Sequence, residues 1–208
     1  MDFRRPLSVV APTLDGDVLG VLAGADEEFT GRRIHRVLGH GSEHGVRKAA
    51  DRLVEQGIVS RRQAGQAKLY SLNRSHLAAP YVEGLGSLRA QLIQRLRDTV
   101  TDWKKPPAVV LLFGSVAPGE AGAKSDLDLL VVRRLDTKEE APRWQDQLAV
   151  LEREATVWTG NEARVIEYGE RELADVAVRE VVEGALVDGI AIYGTRQELR
   201  RLLERYED

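Results

Sequence analysis

Hydrophobic positions in the first third of the chain recur at helical spacing in three segments. This spacing predicts a first helix over about residues 14–23. Thr30 precedes the second apolar stripe and Ser42 precedes the third, and both residue types are favoured as helix N-caps. Gly57 stands where a left-handed C-cap residue belongs, so the third helix is predicted to end just before it.

Two β-prone runs, residues 58–62 and 68–72, follow the third helix. The five residues between them include Gly65, which favours a short hairpin loop. Three helices followed by a hairpin is the element order of a winged helix-turn-helix. Residues 10–80 resemble the bacterial and archaeal winged-helix regulators of the MarR/ArsR type, through the segments FTGRRIHRVLG, SEHGVRKAADRLVEQGIV and SRRQAGQAKLYSLN.

The resemblance implies that this module binds double-stranded DNA. Its third helix would present its solvent face to the major groove, and its hairpin would approach phosphates or the minor groove. The predicted DNA contacts are the polar and basic residues of these two surfaces: Ser42, His44, Arg47, Lys48, Arg61, Arg62 and Lys68. Asp51 and Glu55 on the same helix repel phosphate. They keep a second interpretation open, in which the charges are only solvated or the module binds a protein.

A change of composition over residues 73–88, with one proline and two glycines, predicts a linker. From Leu85 the helical spacing resumes, which predicts a helix of the second module, a dimer contact, or both. We therefore predict two domains, residues 1–80 and 88–208. The fold class is α/β, with a helical module and hairpin in front of an α/β module.

The second module contains two apolar runs joined by a polar segment. The run over residues 108–113 is typical of a buried strand and ends at Gly114 and Ser115. Ten residues later, Asp126 and Asp128 open the second run. Residues i and i+2 of a strand point to the same face, so the two carboxylates lie side by side and favour a neutralising cation. Mg²⁺ prefers such oxygen ligands together with substrate phosphates, while a Gly-Ser turn suits phosphate.

Gly-Ser, about ten residues and Asp-x-Asp form the signature of the nucleotidyltransferase superfamily that shares the DNA polymerase β palm. Residues 88–195 resemble its minimal members, including the later segment VVEGALVDGIAIYG. The resemblance implies an α/β fold with a mixed sheet. It also implies that Gly114 and Ser115 hold a nucleoside triphosphate, and that Asp126 and Asp128 bind two Mg²⁺ ions and are catalytic.

A third carboxylate, which the resemblance also implies, is not in its usual place before an apolar pair. In the segment NEARVIEYG, residues 161–169, that place belongs to Arg164. Glu162 shares the alternation of Arg164 and is our candidate third metal ligand. Glu167 would need a bulge to reach the same face. The remaining alternative is that the third acid is missing.

Charge differs between the two modules. Residues 1–80 hold 12 Lys and Arg against 9 Asp and Glu, whereas residues 81–208 hold 18 against 24, which suggests different partners. Cysteine is absent, which excludes disulfides, thiolate metal sites and thiol catalysis and is typical of a cytoplasmic protein. No apolar run approaches the roughly 18 residues of a membrane helix, so no membrane partner is expected. The first six residues are not followed by the apolar core of a secretory signal.

Three functions stand as alternatives. The first is a DNA-binding protein with a magnesium-dependent nucleotidyltransferase domain, which transfers a nucleoside monophosphate to an unknown acceptor. The second is a transcriptional regulator whose degenerate nucleotidyltransferase domain only senses nucleotides. The third is a toxin–antitoxin or defence component that nucleotidylates tRNA or protein. A homodimer is expected, because winged-helix regulators commonly bind DNA as dimers.

Overall fold

The computed structural model describes residues 1–117, 119 and 122–206, and it divides into two compact units. The N-terminal unit comprises Arg4–Arg89 with Asp2, and the C-terminal unit comprises Ala90–Asp208 with Met1 and Phe3. Each unit has its own hydrophobic core. Within the described residues, no helix combines the length and the apolar character that crossing a bilayer requires.

The N-terminal unit contains the predicted three helices and hairpin. In chain order, its elements are a 3-10 turn (Pro6–Val9), α1 (Leu14–Ala23), β1 (Phe29–Thr30), α2 (Gly31–Leu38), α3 (Glu43–Glu55), β2 (Val59–Ala64), β3 (Ala67–Leu72) and α4 (Ala79–Gly86). The three strands form an antiparallel sheet in the order β1-β3-β2. The strand β1 was not predicted, since two residues are too few to show alternation.

Both predicted N-caps are confirmed. The Thr30 hydroxyl oxygen accepts a hydrogen bond from the Arg33 amide at 3.1 Å, and the Ser42 hydroxyl oxygen accepts one from the Gly45 amide at 3.0 Å. Each cap satisfies a backbone donor that the first turn of a helix leaves without a partner. The hairpin loop is shorter than predicted, because β2 and β3 extend toward each other until only two residues separate them.

The predicted linker is wrong where α4 forms. Pro80 contributed to the prediction of a linker, but it lies in the first helical turn, where a missing amide proton costs no hydrogen bond. Ala79 and Val82 of this helix are buried in the core of the N-terminal unit. The segment therefore belongs to that unit and is no free connection.

The C-terminal unit is built on a four-stranded mixed sheet. In chain order, the elements from its first helix onward are α5 (Leu88–Thr101), β4 (Val109–Phe113), β5 (Leu127–Arg133), α6 (Pro142–Thr159), β6 (Ala163–Gly169), α7 (Val176–Asp188), β7 (Ile190–Tyr193) and α8 (Arg196–Arg205). The strand order is β6-β5-β4-β7; β5 and β6 run parallel and the other pairs antiparallel. The predicted mixed sheet is confirmed.

Both faces of this sheet are covered, which explains the continuous apolar runs of β4 and β5. On one face, Val110, Leu112 and their β5 neighbours pack with α5 and α6 residues, including the fully buried Trp144. Trp103 meets the Trp144 ring edge-to-face, with centroids 5.5 Å apart. On the other face, the alternate residues of the same strands pack with residues of α7, including Leu186, and of α8.

Candidate nucleotide-binding site

The sheet brings the Gly-Ser turn and the Asp-x-Asp motif to the same place. Because β4 and β5 are antiparallel neighbours, Phe113 at the end of β4 pairs with Asp128 near the start of β5. Gly114 follows with a φ of 71°. A Cβ atom at this position would lie 2.8 Å from Oδ2 of Asp128, a contact that real Cβ atoms do not make. Glycine is therefore favoured by its backbone conformation, and a Cβ at this position would require the Asp128 carboxylate to turn aside.

The turn itself is a single 3-10 turn, Gly114–Val116. Val116 and Ala117 are buried, while Gly114 and Ser115 are exposed. The turn is thus anchored in the core, and its first two residues face solvent, where a phosphate can reach them. Three residues of the loop that follows, 118, 120 and 121, lie outside the described part of the chain.

The structure brings Asp126 and Asp128 together, as their spacing predicts. The intervening Leu127 is fully buried, so both carboxylates point away from the core. Burial raises the pKa of Asp128 above its ordinary value and the charge of Asp126 raises it further, while Arg164 acts in the opposite direction. The two acids therefore repel each other, which is the situation that a bound cation relieves.

Arg164 occupies the third position of the site. It pairs with Asp128 in the parallel β5–β6 register, and its Nη1 lies 3.0 Å from Oδ2 of Asp126. Glu162, the predicted third metal ligand, is turned toward this arginine, with Oε1 3.6 Å from Nε. Within the described ranges, no three His, Asp or Glu side chains are grouped so that they could hold a metal ion.

Glu167 is not part of the site. The β5–β6 pairing runs without a bulge, and Glu167 pairs with Val131. Glu167 therefore lies on the opposite face of β6 from Arg164. Its carboxylate accepts a hydrogen bond from Arg133 Nε at 2.6 Å. Burial raises the pKa of Glu167, and Arg133 lowers it. The bulge that would have supplied a third acid from this residue is therefore absent from β6, and that alternative is wrong.

Asn161 supports the site and was missed by the sequence analysis. It is only 2% exposed, and its Nδ2 donates to the carbonyl oxygens of Ser125 at 2.8 Å and Gly122 at 3.3 Å. The amide of Leu127 donates to the carbonyl oxygen of Glu162 at 2.8 Å. These bonds hold the chain on both sides of Asp126 against the start of β6. An Asn after a glycine is typical of a loop, so nothing in the sequence indicated this role.

In the N-terminal unit, all seven predicted DNA contacts are exposed on α3 and the hairpin. Four of them form ion pairs within the unit: Arg47 with Glu43 at 3.1 Å, Arg61 and Lys68 with Asp51 at 3.1 and 3.5 Å, and Arg62 with Glu28. Ser42 is engaged as an N-cap. The basic surface predicted from sequence is therefore largely neutralised by neighbouring carboxylates.

Asp51 joins the hairpin to α3. It accepts a hydrogen bond from the buried hydroxyl of Tyr70 at 3.1 Å, in addition to its pairs with Arg61 and Lys68. Burial raises the pKa of Asp51, but these three partners outweigh burial and the net pKa is below its ordinary value. Burial and the bond to Asp51 raise the pKa of Tyr70 to about 12. Asp51 is thus a structural acid in the middle of the predicted DNA surface.

A model of the nucleotidyltransferase domain family matches residues 93–204, which include the Gly-Ser turn, both aspartates and Arg164. The chain belongs to this family. Its nucleotidyltransferase domain lies within the C-terminal unit. Members of the family typically depend on a divalent metal ion. A search of curated proteins found no match to the chain.

Solved structures of toxin–antitoxin systems resemble part of the chain. They include a toxin–antitoxin with AMP-PNP (20% identity, TM-score 0.38), the tri-AMPylated Shewanella oneidensis HEPN toxin in complex with MNT antitoxin (15%, 0.38), and a mutant of the toxin–antitoxin MntA–HpeT (18%, 0.37). Each similarity covers 57% of this chain and 82% of the other. At these identities and TM-scores, the likeness carries no argument about the partners or the activity of this nucleotidyltransferase domain.

Proposed function

We propose that the C-terminal unit binds a nucleoside triphosphate with a divalent cation and transfers its nucleoside monophosphate to an acceptor. The observation that carries this proposal is the close approach of Gly114 to Asp128, 2.8 Å from a would-be Cβ to the carboxylate. This approach supports a single site in which the turn would hold phosphate and the pair of acids would hold the cation. Membership of the nucleotidyltransferase family supports the same reaction class.

The residues of the site divide the work between phosphate and cation. The exposed turn offers the Ser115 hydroxyl and backbone amides to phosphate oxygens. Asp126 and Asp128 offer adjacent carboxylate oxygens, the ligands that hard divalent cations prefer, so this donor set fits Mg²⁺. A cation bound there would neutralise the charge that develops on the phosphate oxygens during transfer.

The transfer that this arrangement supports is an in-line displacement. An acceptor hydroxyl oxygen forms a bond to the α-phosphorus, while the bond from that phosphorus to the bridging oxygen breaks. Pyrophosphate leaves with the electron pair, and the hydroxyl proton passes to solvent. The role of the protein is to hold the triphosphate at the turn and to orient it against the aspartates. This supplies the proximity on which such a step depends.

Label transfer tests the proposal. The full chain is incubated with Mg²⁺, cell extract and each of the four ribonucleoside triphosphates labelled at the α-phosphate. We expect label on a macromolecule from at least one of them, and none with Asp126→Asn combined with Asp128→Asn. Sensitivity of the product to ribonuclease or to protease then identifies an RNA or a protein acceptor, which also tests the toxin–antitoxin and defence alternative. No transfer by the wild type, with any nucleotide, would contradict the proposed enzyme.

The ion pair between Arg164 and Asp126 favours a second candidate, a domain that binds the nucleotide without turning it over. Such a sensor would give heat in calorimetry with a triphosphate and Mg²⁺, but no label transfer. The two measurements together separate the enzyme from the regulator of transcription.

We also propose that residues 1–80 form a winged-helix domain that binds double-stranded DNA as a homodimer. The observation in favour is the exposure of all seven predicted contacts on α3 and the hairpin. Since Asp51 and Glu28 neutralise three hairpin cations in the free protein, DNA phosphates must displace these carboxylates to bind. Sedimentation with and without a DNA duplex measures both the binding and the number of protein copies.

A further inference from the structure

Arg164 brings a permanent positive charge to the two aspartates. Its Nη1 is 3.0 Å from Asp126, and its field acts on Asp128 as well. A guanidinium does not lose its proton in a protein, so this charge is present at every working pH. The site therefore contains one fixed positive charge, the Arg164 guanidinium on β6.

Two carboxylates beside this guanidinium are a poor site for two divalent ions. The ions of a two-metal site lie about 3.5–4 Å apart, and the negative charge of the carboxylates must offset the repulsion between the two cations. Here Asp126 and Asp128 supply two negative charges, and Arg164 cancels one. Glu162 does not restore the balance, because its side chain is 69% exposed and faces the arginine.

The contact between Arg164 and Asp126 can be exchanged for another. The side chains are 55% and 36% exposed, and an ion pair that is this open to water is weak. The planar guanidinium matches two phosphate oxygens at once, as it does two carboxylate oxygens. A triphosphate at the Gly114 turn would offer Arg164 a partner with more charge than Asp126 has.

We propose that the site takes a single divalent cation with its nucleotide, and that Arg164 supplies to the triphosphate the positive charge that a second ion would bring. The inference rests on the proposed nucleotide-binding function. In the free protein, Arg164 holds Asp126 and competes with the cation. When a nucleotide binds, Arg164 moves to phosphate oxygens and releases Asp126 to the cation.

Counting bound ions tests this directly. The full chain is dialysed to equilibrium against Mn²⁺ and non-hydrolysable analogues of the four ribonucleoside triphosphates, and bound Mn²⁺ is measured per bound nucleotide. The wild type should bind one Mn²⁺ ion per nucleotide. R164D, which places a third carboxylate opposite Asp128, should bind two. Paramagnetic resonance should show spin coupling between neighbouring ions in R164D alone.

A second variant separates the proposed role from mere structural support. R164Q removes the charge and keeps a polar amide on a shorter side chain. It should bind Mn²⁺ alone more tightly than the wild type, because the competitor of the cation is gone. It should bind the nucleotide analogue with Mn²⁺ more weakly, by about tenfold or more, because a charge-assisted contact to phosphate is lost. If Arg164 only supported the structure of the site, R164Q would weaken the binding of Mn²⁺ alone and the binding of the nucleotide analogue alike.

The matched control is R201Q. Arg201 is exposed on α8, and α8 follows β7, which lies at the opposite edge of the sheet from β6. It should match the wild type in every measurement. Two coupled Mn²⁺ ions in the wild type would overturn this inference and leave the proposed function intact. So would Mn²⁺ binding that R164Q leaves unchanged or weakens. Failure of every variant and of the wild type to bind any nucleotide would overturn the proposed function, and this inference with it.

Discussion

Gly114 and Asp128 approach each other closely: a Cβ at position 114 would lie 2.8 Å from the Oδ2 oxygen of the Asp128 carboxylate. The register of β4 and β5 imposes this approach, since Phe113 pairs with Asp128. The turn and the acid are therefore neighbours, and a side chain added at position 114 should be felt at Asp128.

Gly114→Ala is expected to weaken nucleotide binding. The substitution forces an L residue into a φ of 71° and obliges the Asp128 carboxylate to turn aside. Gly160→Ala is the matched control, because Gly160 has a φ of 69° and open space around its would-be Cβ. Both variants should lose about 1–2 kcal/mol of stability from the left-handed backbone. In calorimetry with a triphosphate and Mg²⁺, only Gly114→Ala should bind more weakly than the wild type; equal binding by both variants would contradict the site.

Asp128→Asn should stabilise the metal-free protein at neutral pH. Since the folded-state pKa of Asp128 is raised, its ionised form is penalised in the folded state as the pH rises through that pKa. In acid, the carboxyl is neutral in both states and the difference between wild type and variant should vanish. All three tryptophans lie in the C-terminal unit, so urea unfolding followed by their fluorescence in chelator measures the effect.

The double change Asp126→Asn with Asp128→Asn should still fold and should lose Mg²⁺-dependent nucleotide binding. If wild type and double variant both give no heat with any triphosphate, while both fold, the unit has kept the fold and lost the site. Arg164 would then be the first residue to examine.

Much of this site could be predicted from the sequence because its chemistry is local. Gly114, Ser115, Asp126 and Asp128 lie on two strands that pair with each other, and the apolar runs that form those strands are plain in the sequence. The resemblance also indicated that Arg164 stands where a third acid is expected, and alternation along the strand put Glu162 on the same face as Arg164.

The features that escaped prediction depend on contacts distant in sequence. Asn161 is important because of Ser125 and Gly122, which no local pattern connects to it. The helix α6 was not predicted at all, although its Trp144 is fully buried. The helix α4 was hidden by Pro80, whose effect depends on whether it begins or interrupts a helix. The carboxylates that neutralise the hairpin arginines come from other elements and could not be paired with them by spacing.

Asp51→Asn should destabilise the N-terminal unit at neutral pH, by about 0.2–1 kcal/mol as for other partly exposed ion pairs. The folded-state pKa of Asp51 is depressed, so its contribution is present above the ordinary carboxyl pKa and is lost as the pH falls through the lowered value. Circular dichroism follows both units and tryptophan fluorescence only the C-terminal one. A shift of the unfolding transition in circular dichroism but not in fluorescence assigns the effect to the N-terminal unit. Glu55→Gln serves as the control, because Glu55 is exposed on the same helix.

Replacing Arg61 and Arg62 together by alanine should weaken binding to double-stranded DNA and flatten its salt dependence, by about 1 in the logarithmic slope per lost phosphate contact. Arg200→Ala with Arg201→Ala removes the same charge from α8 and should leave the slope unchanged. Conversely, Glu28→Gln frees Arg62 from its ion pair and should tighten binding. Titrations of a fluorescent duplex at several salt concentrations measure all three, and an unaltered double variant would remove the hairpin from the interface.

The uninterrupted parallel pairing of β5 and β6 makes position 164 a marker for sorting related sequences. Since Asp128 and residue 164 are register partners, whatever side chain stands there is delivered to the same spot without any change of backbone. On the proposal that Arg164 replaces a second ion, chains that share the Gly-Ser and Asp-x-Asp segments but differ between acid and arginine at this one place would divide into two classes with different ion requirements. A single substitution would be enough to cross from one class to the other.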